Sequence, residues 1–166
     1  AQQVTATWAL EIIPGVEMTC RVDGIDSEIH MLGYGFDPKN EALVAHCRKR
    51  AELRHQRMGT MIDKLSQHGM QIETDSWLDK GQTLGRPHLA REMVRQGFCR
   101  DVPEVFERWL AEGQPAFVPS QDCHPEEAVA IIRQAGGKAF LAHPGRLSDP
   151  RGVTQVIDIG IDGLEV

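Results

Sequence analysis

Residues 124–166 constrain the fold more than any other part of the chain. They begin with "HPEEAVAIIRQAGG", where Pro125 and two acids open a helix and Gly136-Gly137 close it. A β-rich strand at 138–142, "KAFLA", follows, then a helical stretch near 151–159 and a second strand at 162–166. Strand, helix, strand in that rhythm is a βαβ unit, which predicts parallel pairing and an α/β fold. Upstream, residues 11–20 and 28–36 are apolar and β-rich, and Asp23-Gly24 between them marks a turn, so they read as a hairpin or two neighbouring strands.

The middle of the chain changes period. Leu43, Cys47, Ala51, Met58, Met61, Ile62 and Leu65 recur at helical spacing over 40–68, and His68-Gly69 ends that helix. "GRPHLAREMVRQG" and "VPEVFERWLAEG" each place a proline in a first turn and a glycine past the last. The chain thus divides into an α/β part at 1–37, a helical insert at 38–118 and a βαβ part at 119–166. Ala1–Ala9 read as the tail of a helix, and Val166 ends an apolar run with no cap, so the chain is expected to be a piece of a longer protein.

A net charge of −6 argues against a protein that coats nucleic acid non-specifically, while leaving room for a local basic groove. The four cysteines are widely spaced with no CxxC pair, which fits reduced thiols in the cytoplasm. With no leader and no long apolar run visible, neither secretion nor a membrane is expected. No stable protein partner is evident.

His143 follows the 138–142 strand and is stopped at once by Pro144-Gly145, which holds its imidazole at the C-terminal rim of a parallel strand, where α/β proteins gather ligands. Glu17 and His30 sit inside apolar strands; each either faces solvent by alternation or belongs to a site. One carboxylate and two imidazoles from three strands suit zinc, manganese or iron better than calcium. The basic run 48–57, "RKRAELRHQR", puts Arg50, Arg54 and Arg57 on one helix face, either solvated or anion-binding. Arg86 and His88 flank Pro87 at a helix start, where free N–H groups favour an anion. Trp8, Trp77, Trp109, Met58 and Met61 read as packing residues, Cys20 and Cys47 as apolar positions, and His46, His55, His68 and His124 as surface or capping residues. There is no GxSxG, Walker loop or HExxH.

"IIPGVEMT", "EIHMLGYGFD", "GRPHLAREMV", "EVFERWLAEGQPAFVP" and "AGGKAFLAHPGR", in that order, resemble the polymerase-and-histidinol-phosphatase (PHP) family, in its branch of nucleoside 3′,5′-bisphosphate phosphatases and 5′-3′ exonucleases of short RNA. The resemblance implies part of a distorted (β/α)7 barrel with a helical insert, and a cluster of up to three divalent metals, often manganese, with zinc, iron or magnesium as alternatives. It implies Glu17, His30 and His143 as metal ligands, with Glu17 and His143 catalytic. Arg86, His88 and Arg54 are implied as contacts to substrate phosphate, the substrate being a nucleotide or short RNA. The family's HxH, DHD and DxH motifs are not in this stretch, so the chain alone is expected to lack a full catalytic centre. Hydrolysis of another phosphate ester, such as histidinol phosphate, and a non-catalytic PHP-like binding module remain as alternatives.

Overall fold

The computed structural model describes residues 11–25, 27–74 and 84–166; the helical reading of Ala1–Ala9 and the packing roles of Trp8 and Trp77 lie outside them. The chain forms two compact units, one made of Ala1–His46 with Asp122–Val166, the other of Cys47–Gln121.

The first unit is built on strands β1 (Gly15–Cys20), β2 (Ile29–Tyr34), β3 (Lys138–Leu141) and β4 (Gly163–Leu164), hydrogen-bonded in the order β1-β2-β3-β4. β1 and β2 are an antiparallel hairpin, β2 and β3 are antiparallel, and β3 and β4 are parallel, as the strand–helix–strand rhythm predicts. The last strand is shorter than its apolar run: only Gly163–Leu164 form a ladder, although Asp162 and Glu165 donate their N–H groups to the carbonyls of Ala139 and Leu141. The described residues therefore form a mixed four-stranded α/β sheet, which differs from the uniformly parallel wall of a regular β/α barrel.

One sheet face carries Met18, Cys20, Ile29, Met31, Ala139 and Leu141, all buried. The helix Pro125–Gln134 (here α4) supplies Ala128, Val129 and Ile132 to the same core, and Val156 joins them from the helix Pro150–Asp158 (α5). Close approach is possible because Gly33 has no side chain: a Cβ there would lie 2.8 Å from Ile132 Cγ1. Gly33→Ala should therefore overpack the sheet–helix contact and cost about 1–3 kcal/mol, read as a lower midpoint in thermal unfolding.

Helix α1 (Glu41–Gln67) starts at Asn40, whose side-chain oxygen accepts from the N–H groups of Ala42 and Leu43. Its apolar stripe is interrupted. Leu43 joins the first unit's core, while Met58, Met61 and Leu65 join the core of the second. Between them Cys47 and Ala51 are exposed, because the surrounding run of arginines and lysine cannot be buried, so Cys47 does not pack as its spacing implies. His46, expected at the surface, is buried, with Nδ1 3.4 Å from Glu127 Oε1.

The rest of the second unit consists of α2 (Arg86–Arg95) and α3 (Val102–Val105), the latter running straight into a π-helical turn, Phe106–Leu110. Their core holds Leu89, Ala90, Met93, Val105, Leu110 and Ala116. No helix among the described residues is long and apolar enough to cross a membrane.

Candidate functional site

Opposite the core, the sheet carries Glu17, Thr19 and His30 beside Leu32 and Phe140. Glu17 and Thr19 share one side of β1, and Thr19 pairs with His30, so Glu17 and His30 are diagonal neighbours across the hairpin. Glu17 Oε1 lies 2.8 Å from His30 Nδ1. Strand alternation does leave Glu17 half exposed, but it also aims the carboxylate at the imidazole.

His143 reaches the same place by a break in alternation. Ala142, whose N–H donates to His30 O at 2.9 Å, continues the face of Glu17, so a regular next residue would point into the core with Leu141. Instead His143 adopts φ 31° and ψ 57°, the left-handed region, and the chain turns into the short 3₁₀ segment Pro144–Arg146. Among the described residues it is the one non-glycine with positive φ. Such a backbone costs about 1–2 kcal/mol and is held by Glu165, just past β4, whose carboxylate accepts from the His143 N–H at 2.7 Å.

The turn brings His143 Nε2 to 3.1 Å from His30 Nδ1 and 3.9 Å from Glu17 Oε1. The three residues offer ligand atoms that all lie within 4.8 Å of one another. Donors bound at ~2.1 Å to one ion sit about 3.0–3.4 Å apart; the separations here, 2.8, 3.1 and 3.9 Å, straddle that range, and two imidazole nitrogens with a carboxylate oxygen are a donor set that could hold a divalent metal. No lysine or arginine is paired with Glu17 among the described residues. His143 Nδ1 is buried with no protein partner, a cost of about 1–3 kcal/mol unless water or a ligand meets it. On the other side of His30, Glu28 Oε2 stands 3.9 Å from Nε2, beyond hydrogen-bond reach.

Arg54, Arg86 and His88 belong to the second unit. His88 Nδ1 accepts the Gly85 N–H at 3.1 Å, closing the start of α2. Arg86 donates from Nη1 to Leu110 O at 3.3 Å. Arg50, Arg54 and Arg57 line one cleft with Val118–Gln121, of about 160 Å³. Arg57 Nε donates to Val118 O at 2.8 Å and Arg50 to Gln121 O, whereas Arg54 is exposed and makes no hydrogen bond or ion pair among the described residues.

Other carboxylates are held below their usual range by local hydrogen bonds. Asp101 is lowered first by the Glu104 N–H, which it accepts as the cap of α3, and Glu104 by the Arg100 N–H. Asp149 is lowered mainly by the Arg151 guanidinium. Burial pushes the Cys99 thiol up. Sequence reasoning passed over Glu165. The signal was available, an acid at the rim of the neighbouring parallel strand.

No profile of a known protein family matches the chain. It is 34% identical over 140 residues to the 5′-3′ exoribonuclease Rnm of Escherichia coli, a match covering 83% of this chain and 47% of that protein. It is 32% identical over 174 residues to the 3′,5′-nucleoside bisphosphate phosphatase of Chromobacterium violaceum, covering all of this chain and 60% of that one. The chain thus spans about half to three fifths of the length of these relatives. Among solved structures, a protein of Bifidobacterium adolescentis assigned as a metal-dependent phosphoesterase superposes with a TM-score of 0.80 at 27% identity, over 99% of this chain and 60% of that chain. An amidohydrolase of Chromobacterium violaceum, solved with sulfate and no metal, gives 0.79 at 29% identity, over 98% and 59%. The chain is a relative of 5′-3′ exoribonucleases and of a 3′,5′-nucleoside bisphosphate phosphatase, and it shares the fold of a metal-dependent phosphoesterase, in keeping with the PHP-like motifs of its sequence.

Proposed function

We propose that the full protein hydrolyses phosphate esters of nucleotides, as a nucleoside 3′,5′-bisphosphate phosphatase, a 5′-3′ exonuclease on short RNA, or both. The observation that carries this reading is the convergence of Glu17, His30 and His143 on one point. A divalent ion held there, manganese in our reading, would polarise a phosphoryl oxygen and lower the pKa of an attacking water. Glu17 brings the negative charge that binds such an ion, and the two imidazoles bring neutral nitrogen donors. Glu165 keeps His143 in the turn that aims it.

The second unit is, in this proposal, the specificity element. Arg86 receives a phosphate that is not being cleaved, with His88 and Arg54 as further contacts. The four-stranded sheet is proposed as one wall of a distorted (β/α)7 barrel. A place in the cytoplasm is part of this reading, in keeping with cysteines that are widely spaced in the sequence and form no CxxC pair.

The test is metal dependence in the full-length protein. Exhaustive chelation should abolish release of phosphate from a nucleoside 3′,5′-bisphosphate, and added manganese should restore it. Turnover that persists in the metal-free protein would overturn the proposal.

A further inference from the structure

Three arginines of the second unit are paired with carboxylates. Arg95 pairs with Glu92 at 2.6 Å, Arg108 with Glu104 at 2.7 Å and Arg100 with Asp101 at 3.0 Å. Arg86 is half-buried, yet no carboxylate among the described residues pairs with it. Its guanidinium is held in another way. The Cζ atom lies 5.9 Å from the centroid of the Phe106 ring and 5.7 Å from that of Phe117. Both distances are within the range over which an aromatic face attracts a cation.

Phe106 and Leu110 are the two ends of the π-helical turn, closed by a hydrogen bond from the Ala111 N–H to Phe106 O at 2.9 Å. One turn therefore supplies both a ring for the cation and the carbonyl that accepts from its Nη1. π-helical turns of this kind gather at functional sites. Phe117 comes from the segment that follows and is fixed through its backbone, its N–H donating to Gln114 O at 3.0 Å and its carbonyl accepting from Lys64 Nζ at 2.7 Å.

Rings and a neutral carbonyl orient a guanidinium without cancelling its charge, as a carboxylate would. We propose that Phe106 and Phe117 are positioning residues for substrate specificity: they form an aromatic clamp that presets Arg86 for the second phosphate of a nucleotide. The proposal rests on the reading of Arg86 as a phosphate contact. Loss of a clamp ring leaves the cation in place but free to wander, so binding weakens only for ligands that need it.

The experiment measures calorimetric affinity in the full-length protein, with a chelator present so that no turnover occurs. The ligands are a nucleoside 3′,5′-bisphosphate and the matching monophosphate that carries only the scissile phosphate. Phe106→Leu and Phe117→Leu should each raise the Kd of the bisphosphate about 3- to 30-fold, and leave the monophosphate within about twofold. Phe117→Tyr, which keeps the ring, should restore affinity. In an Arg86→Ala background Phe117→Leu should have no further effect, because the two act as a unit. Equal losses on both ligands, additive losses in the double variant, or no loss at all would overturn the clamp. If Arg86→Ala alone still removes the bisphosphate preference in those cases, the reading of Arg86 survives and only the clamp falls. An Arg86→Ala protein that keeps its preference would overturn both.

Discussion

Replacing His143 with asparagine in the full-length protein should lower the rate of phosphate release by well over a hundredfold while leaving the fold intact. Removing a group that only orients a ligand already costs 10- to 100-fold in metal affinity or activity, and losing the ligand itself must exceed that. Asparagine is a cleaner choice than alanine. His143 is in the left-handed region, which asparagine enters more readily than other non-glycine residues, so the turn that joins β3 to Pro144 is preserved. The measurement pairs turnover with bound-metal content and with the thermal unfolding midpoint. Lost metal and lost turnover at an unchanged midpoint are the expected outcome. A midpoint that falls in step with activity, with metal content retained, would return His143 to a purely structural role.

Arg86→Ala should split substrates according to how many phosphates they carry. A charge-assisted hydrogen bond contributes about 1.5–3 kcal/mol, which is a factor of roughly 10 to 150 in the specificity constant. That loss is expected on a nucleoside 3′,5′-bisphosphate and should be nearly absent on a substrate with only the scissile phosphate. Equal losses on both would place Arg86 at the reacting phosphate or in folding alone. Its half-buried position, with a carbonyl and two rings around it and no carboxylate partner among the described residues, favours the selective outcome.

The parts of the molecule that could be read from the sequence are those governed by local rules. Pro125 and Gly136 bracket α4, His68-Gly69 end α1, and the parallel pairing of β3 with β4 followed from the helix between them. Glu17 and His30 were legible as residues out of place in apolar strands, and His143 as an imidazole stopped at a strand's rim. What was not legible depends on tertiary contact. "VPEVFERWL" reads as one helix, and nothing local says that Phe106–Leu110 takes the wider π register. Arg50, Arg54 and Arg57 share a helix face by spacing alone, but their difference comes from Val118 and Gln121, far along the chain. Alternation made Glu17 look like a choice between solvent and site. The hairpin register shows that a half-exposed carboxylate can serve the site without leaving solvent.

The contact between Arg50 and the carbonyl of Gln121 has a consequence for how such a protein can change. The two residues lie close to the start and the end of the Cys47–Gln121 unit, so its entrance and exit run side by side. A segment whose ends meet places on its host little more loop-closure entropy than a short turn does. Its length and internal packing are then nearly invisible to the sheet that carries Glu17, His30 and His143. The unit is therefore portable: a graft between residues 47 and 121 from a relative should fold on the recipient while Glu17, His30 and His143 keep their places.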